Sequence, residues 1–206
     1  EFHGALDIHK FSNPNVSAFI VAKAAAGNVV FQKLSPEDQV LFNASRAKEA
    51  NHLLSVKAVV ILKGDDARRF EQEHPECVLD SLWVDRWKLG DDGDYIAKSR
   101  WCAIGWQDPD ILEIERSAPT PGDCTLNAVA QVAASRKWRL RLRDAKQAFA
   151  QSLPSNRRRK LACRSPRTGL FPGAEPGDLI LMNTEVYGLV SGPAWWRVTF
   201  VGYHIQ

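Results

Sequence analysis

Asp144 closes the run Trp138 to Asp144, in which Trp138, Leu140 and Leu142 alternate with Arg139, Arg141 and Arg143. Alternation at period two is the pattern of a half-buried strand, so the carboxylate is expected at a strand tip. With Arg141, Arg143 and Lys146 around it, the acid should stay ionised. An ionised carboxylate inside a basic stripe is the ligand that Mg²⁺-dependent phosphoryl transfer uses. Acids also end strands simply to face water, and for Asp144 alone that reading stays open. The stripe itself is dense: Arg136 to Arg167 holds twelve Lys and Arg against Asp144, a local charge of +11 in a chain of formal net charge +3. The remaining residues therefore carry −8, the asymmetry expected of a protein with a polyanionic partner such as nucleic acid. A solvated charged face is the alternative. Arg157, Arg158, Arg159 and Lys160 form its densest cluster and are the candidate backbone contacts.

The elements that must position these residues are partly legible. Residues 1 to 34 show no period, with a strand expected near Asn28 to Gln32. Ser35-Pro36-Glu37-Asp38 is a helix start, with Ser at the cap, Pro at the first position and acids in the first turn. That helix is expected to reach about Leu54, with Val40, Leu41, Ala44, Ala47 and Leu54 as its apolar stripe, followed by the β-rich run Val56 to Leu62 and a short helix near Asp66 to Glu73. Trp83, Trp87, Trp101 and Trp106 crowd around the turn Gly90-Asp91-Asp92-Gly93-Asp94, which reads as a β-hairpin with Asp91 and Asp92 as turn residues. A Pro-rich link leads to an amphipathic helix at about Thr125 to Ser135 and then to the strand ending in Asp144. A helical turn, a hairpin through Leu161 to Arg164 and Leu179 to Asn183, and a last segment entered at Gly192-Pro193 complete the expectation.

The composition, 45% hydrophobic and 25% charged over 206 residues, excludes disordered, collagenous and membrane-spanning classes and is that of an intracellular, soluble globular protein. Cys77, Cys102, Cys124 and Cys163 form no CxxC pair and have no His at ligand spacing, so they read as reduced, mostly core residues.

Four blocks, in order over about 115 residues, resemble the reverse transcriptase of copia-type LTR retrotransposon polyproteins. Trp83-Val84 with Arg86 and Lys88 is similar to the family's opening strand. Lys98-Ser99-Arg100-Trp101-Cys102-Ala103-Ile104-Gly105 resembles Lys-Ala-Arg-Leu-Val-Ala-Lys-Gly. Arg139 to Ser152, centred on Asp144 and Phe149, resembles the catalytic block Gln-Met-Asp-Val-Lys-Thr-Ala-Phe-Leu-Asn-Gly. Tyr187-Gly188-Leu189, then Pro193 and Trp196, resembles Tyr-Gly-Leu-Lys-Gln-Ala-Pro-Arg-Ala-Trp.

The resemblance implies an α+β fold, with a polymerase-type fingers hairpin and a partial palm sheet packed by helices over residues 81–206, preceded by an upstream polyprotein connection over 1–80. It implies Asp144 as the first Mg²⁺-binding aspartate, helped by the carbonyl of Ala145, and Phe149 beneath the incoming sugar, where a ring excludes a 2′-hydroxyl. Lys98 and Arg100 would hold the triphosphate, and Tyr187 and Gly188 would border nucleotide and template. The implied partners are an RNA template, a DNA primer, deoxynucleotides and the remainder of the polyprotein: the rest of the palm, the thumb and RNase H. No membrane is implied. The sequence departs from the family at Ile104, Ala145 and Val190-Ser191-Gly192, and it stops at Gln206 without the Tyr-x-Asp-Asp hairpin that supplies the other two catalytic carboxylates. The expectation is a fragment of an RNA-directed DNA polymerase, inactive alone. The alternatives are a non-catalytic nucleic-acid-binding module, a decayed retroelement remnant, or a plain structural domain.

Overall fold

The computed structural model describes residues 29–90, 92–118, 120–141 and 144–205. Ser35 caps helix α1, Pro36–Ser55, its hydroxyl accepting from the Asp38 amide at 3.2 Å. The face that α1 buries is not the one its aliphatic residues mark. Phe42, Arg46, Glu49, Ala50 and Leu53 are buried, while Val40 and Leu41 are exposed. The rotation follows from the partner. The face of α1 meets the hairpin of β3 (Ser81–Leu89) and β4 (Tyr95–Ala103), whose Asp85 takes the Arg46 guanidinium and whose Trp87 packs edge-on to Phe42 at 4.9 Å. Choosing the aliphatic face instead would leave Asp85 buried and unpaired, which costs several kcal/mol, more than burying one extra Val. Phe31 lies over the other side of the Arg46 guanidinium at 3.9 Å.

Beyond α1 come β1 (Val59–Leu62), helix α2 (Gly64–Glu73) and the two-residue strand β2 (Val78–Leu79). After the hairpin follow helix α3 (Asp123–Ser135), β5 (Ala162–Arg164), β6 (Leu179–Met182) and helix α4 (Gly192–Ile205). The main sheet runs β1-β6-β5-β2, antiparallel except for the β2–β5 pair. It takes two strands from each side of residue 80, so the expected connection over 1–80 and domain over 81–206 share one sheet. Phe171 joins sheet to hairpin, lying 6.0 Å from Trp83 and 5.4 Å from Trp101, and Leu79, Leu161, Ile180 and Val59 complete the dry centre. The chain is a mixed α and β protein, as expected; no helix among the described residues is long and apolar enough to cross a membrane.

Two expected strands are corrected. Val29 and Val30 are irregular: the Val29 amide donates to the Asp85 carbonyl of β3 at 2.8 Å, a single bond that does not extend into a ladder, and the chain turns into a 3₁₀ turn at Phe31–Lys33; Asn28 lies outside the described residues. Residues 138–141 and Asp144 are likewise irregular, with Trp138 and Leu140 exposed. A strand exists only by pairing, and no neighbour lies alongside this run among the described residues. Leu142, Arg143 and Asp91, three residues of the expected strand and turn, lie outside the described residues.

Candidate nucleic-acid and nucleotide interface

Alternation decides what the hairpin shows on each side. Ser81, Trp83, Asp85, Ser99, Trp101 and Ala103 are buried against the core. The opposite face carries Val84, Arg86 and Lys88 from β3 and Lys98, Arg100 and Cys102 from β4, with Arg86 directly across from Lys98 and Val84 across from Arg100. Like charges placed opposite one another do not favour strand pairing.

These cations line a cleft of about 350 Å³ whose other wall is Tyr187 and Gly188. The wall is fixed by close backbone approach. The Ala103 amide donates to the Tyr187 carbonyl at 2.8 Å, Gly188 has φ +97°, and a Cβ on Gly188 would stand 1.9 Å from the Ala103 oxygen. Gly105 meets Gly188 in the same way, with a hypothetical Cβ 2.0 Å from the Gly188 oxygen. Only glycine fits at either place. The Arg100 guanidinium lies 5.2 Å from the Tyr187 ring centre, and Phe149 supports that ring from the side at 4.9 Å in an edge-on arrangement.

Four of the residues expected to bind nucleotide, Lys98, Arg100, Tyr187 and Gly188, therefore share one cleft, and Phe149 stands behind its wall. Phe149 is half-buried and outside the main hydrophobic clusters. Asp144 and Ala145 are exposed. Burial raises the Tyr187 hydroxyl above its ordinary value; Arg100 lowers it, and the charges of Glu49 and Asp144 raise it further, which puts Asp144 within electrostatic reach of the cleft. Among the described residues no group of three or more His, Cys, Asp or Glu could hold a metal. One exposed aspartate does not make a two-metal centre, so the residues present do not fit the Mg²⁺ site that the resemblance implies.

Glu49 is a site residue that the sequence reading misses. It is buried on α1 and accepts from Gln147 Nε2 at 2.7 Å, and Gln147 itself sits in left-handed backbone at φ +50°. Glu49 thus holds the turn that follows Asp144 against α1. The only signal for it is its place seven residues after Phe42 on one helix face.

The other expected contacts divide. Arg158 and Lys160 are exposed, and Arg159 is half-open with Asp110 at 3.5 Å. Arg157 is corrected: it is committed inside the protein. Its Nη1 donates to Asp108 at 2.7 Å, its Nε and Nη2 donate to Glu185 at 2.7 and 3.0 Å, and Nη2 also reaches Ser191 Oγ at 2.6 Å. The +11 window is partly cancelled in space, because Asp108, Glu185, Asp110, Glu71 and Asp80 fold back onto Arg157, Arg159 and Arg164. A linear count cannot see acids arriving from elsewhere in the chain. No family model, curated protein or solved structure matches the chain.

All four cysteines are free; Cys77 and Cys163 are buried, Cys102 is half-buried and Cys124 is exposed. Burial raises the thiols of Cys77 and Cys102 to about 11 and that of Cys163 higher still, so none of the three is a nucleophile at neutral pH.

The Arg157 cluster sets an acid limit. Burial alone would raise the Glu185 carboxyl, but hydrogen bonds from Arg157, Ser191 and Ser155 outweigh it and leave the group below its ordinary value. A depressed carboxyl contributes stability that is present above the unfolded-state value, about 4.3, and is lost as pH falls through the folded one. Urea midpoints should therefore drop as the pH falls below about 5, and Glu185→Gln should be less stable at pH 7 with a shallower acid limb.

Proposed function

We propose that this chain is the fingers-and-palm part of an RNA-directed DNA polymerase of the copia type, binding nucleic acid and a deoxynucleoside triphosphate. The observation that carries the reading is the cleft in which Lys98, Arg100, Arg86 and Lys88 face Tyr187 and Gly188, with Phe149 behind. Residues from three separate blocks of the sequence, 86 to 105, 149 and 187 to 188, come together there around a cationic floor. The triphosphate would lie along Lys98 and Arg100, where charge-assisted hydrogen bonds are strongest, and the base and sugar beside Tyr187, whose ring Phe149 backs from behind the wall.

The exposed apolar side of α3 (Leu126, Val129 and Val132), together with Trp138 and Leu140, is consistent with a palm completed by further chain. The parent reaction is attack of a primer 3′-hydroxyl on the α-phosphate of a deoxynucleoside triphosphate, forming the new phosphodiester bond as the bond to pyrophosphate breaks. Binding rather than primer extension is what this chain alone should show.

Titration with dTTP and with a fluorescein-labelled (dT)₂₀ tests the reading. Lys98→Gln and Arg100→Gln should each weaken dTTP binding about tenfold or more, the worth of one charge-assisted hydrogen bond. A non-catalytic nucleic-acid-binding module would instead bind (dT)₂₀ with a steep salt dependence and show no dTTP site.

A further inference from the structure

A second cavity, of about 400 Å³, lies away from the hairpin, between the end of α1, the segment leading into β5 and the exit of β6. Lys57, Arg159 and Lys160 line it, and no carboxylate does; Arg159 has Asp110 at 3.5 Å outside the lining, and Arg157, also at the wall, is already neutralised by Asp108 and Glu185. Leu161 and Met182 are among the residues that give it an apolar floor.

Three backbone links join its walls: Ser155 N to Asn183 O at 2.7 Å, Met182 N to Leu161 O at 2.9 Å and Asn183 N to Ala58 O at 2.8 Å. The cavity is therefore formed before any ligand arrives. Thr184, on the same wall, is buried and its hydroxyl has no hydrogen-bond partner.

Lys57 is the most informative residue. It ends α1 in left-handed backbone at φ +58°, with its amide on Leu54 O and the next amide on Leu53 O. Gly or Asn is the usual occupant of that helix-ending position because a Cβ is disfavoured there. Lys137 ends α3 in the same way, at φ +54°, but at Lys57 the carbonyl is also fixed by Asn183 Nδ2 at 3.0 Å, which anchors this lysine to the cavity wall.

We propose that this cavity is a second nucleotide-binding site, taking a phosphate on Lys57, Lys160 and Arg159 and the flat face of the base on the aliphatic floor. The proposal does not depend on the hairpin cleft. The phosphate belongs either to a free nucleotide or to one unit of a single strand, and the two are separable by probe.

The test is ¹⁵N-detected titration of the whole chain with thymidine 5′-monophosphate, together with anisotropy of fluorescein-labelled (dT)₁₂, in the parent and in Lys57→Asn and Lys160→Gln variants, single and combined. Asn tolerates the left-handed backbone, so Lys57→Asn should melt no earlier than the parent while losing ligand. The expected result is saturable shifts at the amides of Lys57, Lys160 and Thr184. Affinity for (dT)₁₂ should be about tenfold weaker or more in the double variant, with the salt slope smaller by about 0.7 for each phosphate that is no longer neutralised. Loss for both probes assigns a mononucleotide pocket, and loss for (dT)₁₂ alone assigns a strand-backbone site. Unchanged (dT)₁₂ affinity and salt slope in the double variant, or monophosphate shifts confined to Lys98, Arg100 and Tyr187, would overturn the proposal and leave the hairpin reading standing.

Discussion

Arg157→Ala should lower the stability of the chain by about 3–5 kcal/mol and leave the salt slope of its single-strand binding no shallower than the parent's at temperatures where it is still folded. The guanidinium is largely buried, and it is the counter-ion of two buried carboxylates, Asp108 and Glu185. Burial works against its charge, but the hydrogen bonds and attraction of Glu185 and Asp108 exceed that penalty and raise its affinity for the proton. Removing it leaves both acids uncompensated in a region of low polarity, which costs far more than the side chain's own packing contributes. Lys at this position keeps the charge but cannot reach Asp108, both oxygens of Glu185 and Ser191 at once, so Arg157→Lys should fall between parent and Ala. Urea denaturation measures the stability, and oligonucleotide titration at several salt concentrations measures the rest. Arg158→Ala, at an exposed position, should do the reverse: little change in stability and a shallower salt slope.

Gly188→Ala has the second large effect, and it joins fold to site. The added Cβ meets the Ala103 carbonyl at 1.9 Å, well inside contact distance, and φ +97° is a conformation that a non-glycine residue adopts only under strain. Backbone strain and overpacking together should cost about 3 kcal/mol, or roughly 6–12 °C in Tm for a domain of this size. Because the obstacle is backbone, it yields only if the Tyr187–Gly188 turn separates from β4, breaking the Ala103 to Tyr187 hydrogen bond and drawing the tyrosine ring off Arg100. dTTP affinity should fall in the same variant, even at low temperature where the chain is folded. Loss of stability with full dTTP affinity would mean that the turn does not form the wall of the site.

The elements that are legible in the sequence carry their own local signals. Ser35-Pro36-Glu37-Asp38 starts α1 where expected, the hairpin strands end and begin on either side of the expected turn, with Gly90 N on Asp94 O at 2.7 Å, and the helix expected from Thr125 spans Asp123–Ser135. The alternating cations of β3 and β4 are visible for the same reason, since period two is a property of neighbours. What stays hidden depends on distant partners. The choice of buried face on α1 follows from Asp85, thirty-nine positions after Arg46. The fate of Arg157 follows from Asp108 and Glu185. Trp138 to Asp144 has the pattern of a strand, but its described residues, 138–141 and Asp144, have no neighbouring strand to pair with. The pairing of Glu49 with Gln147 rests on a backbone conformation that no residue type at position 147 announces.

Photo-cross-linking with an azido-substituted dUTP, followed by mass spectrometry of the labelled peptides, is the most direct measure of the central claim. If the cleft between the basic hairpin and the Tyr187–Gly188 turn is the triphosphate site, label should concentrate on peptides containing Tyr187, Phe149 or the 98–102 segment, and unlabelled dTTP should displace it. Lys98→Gln/Arg100→Gln should abolish it. Label that is absent from these peptides, or that persists at them in the double variant, would contradict the proposal that this chain is the nucleotide-binding part of a polymerase.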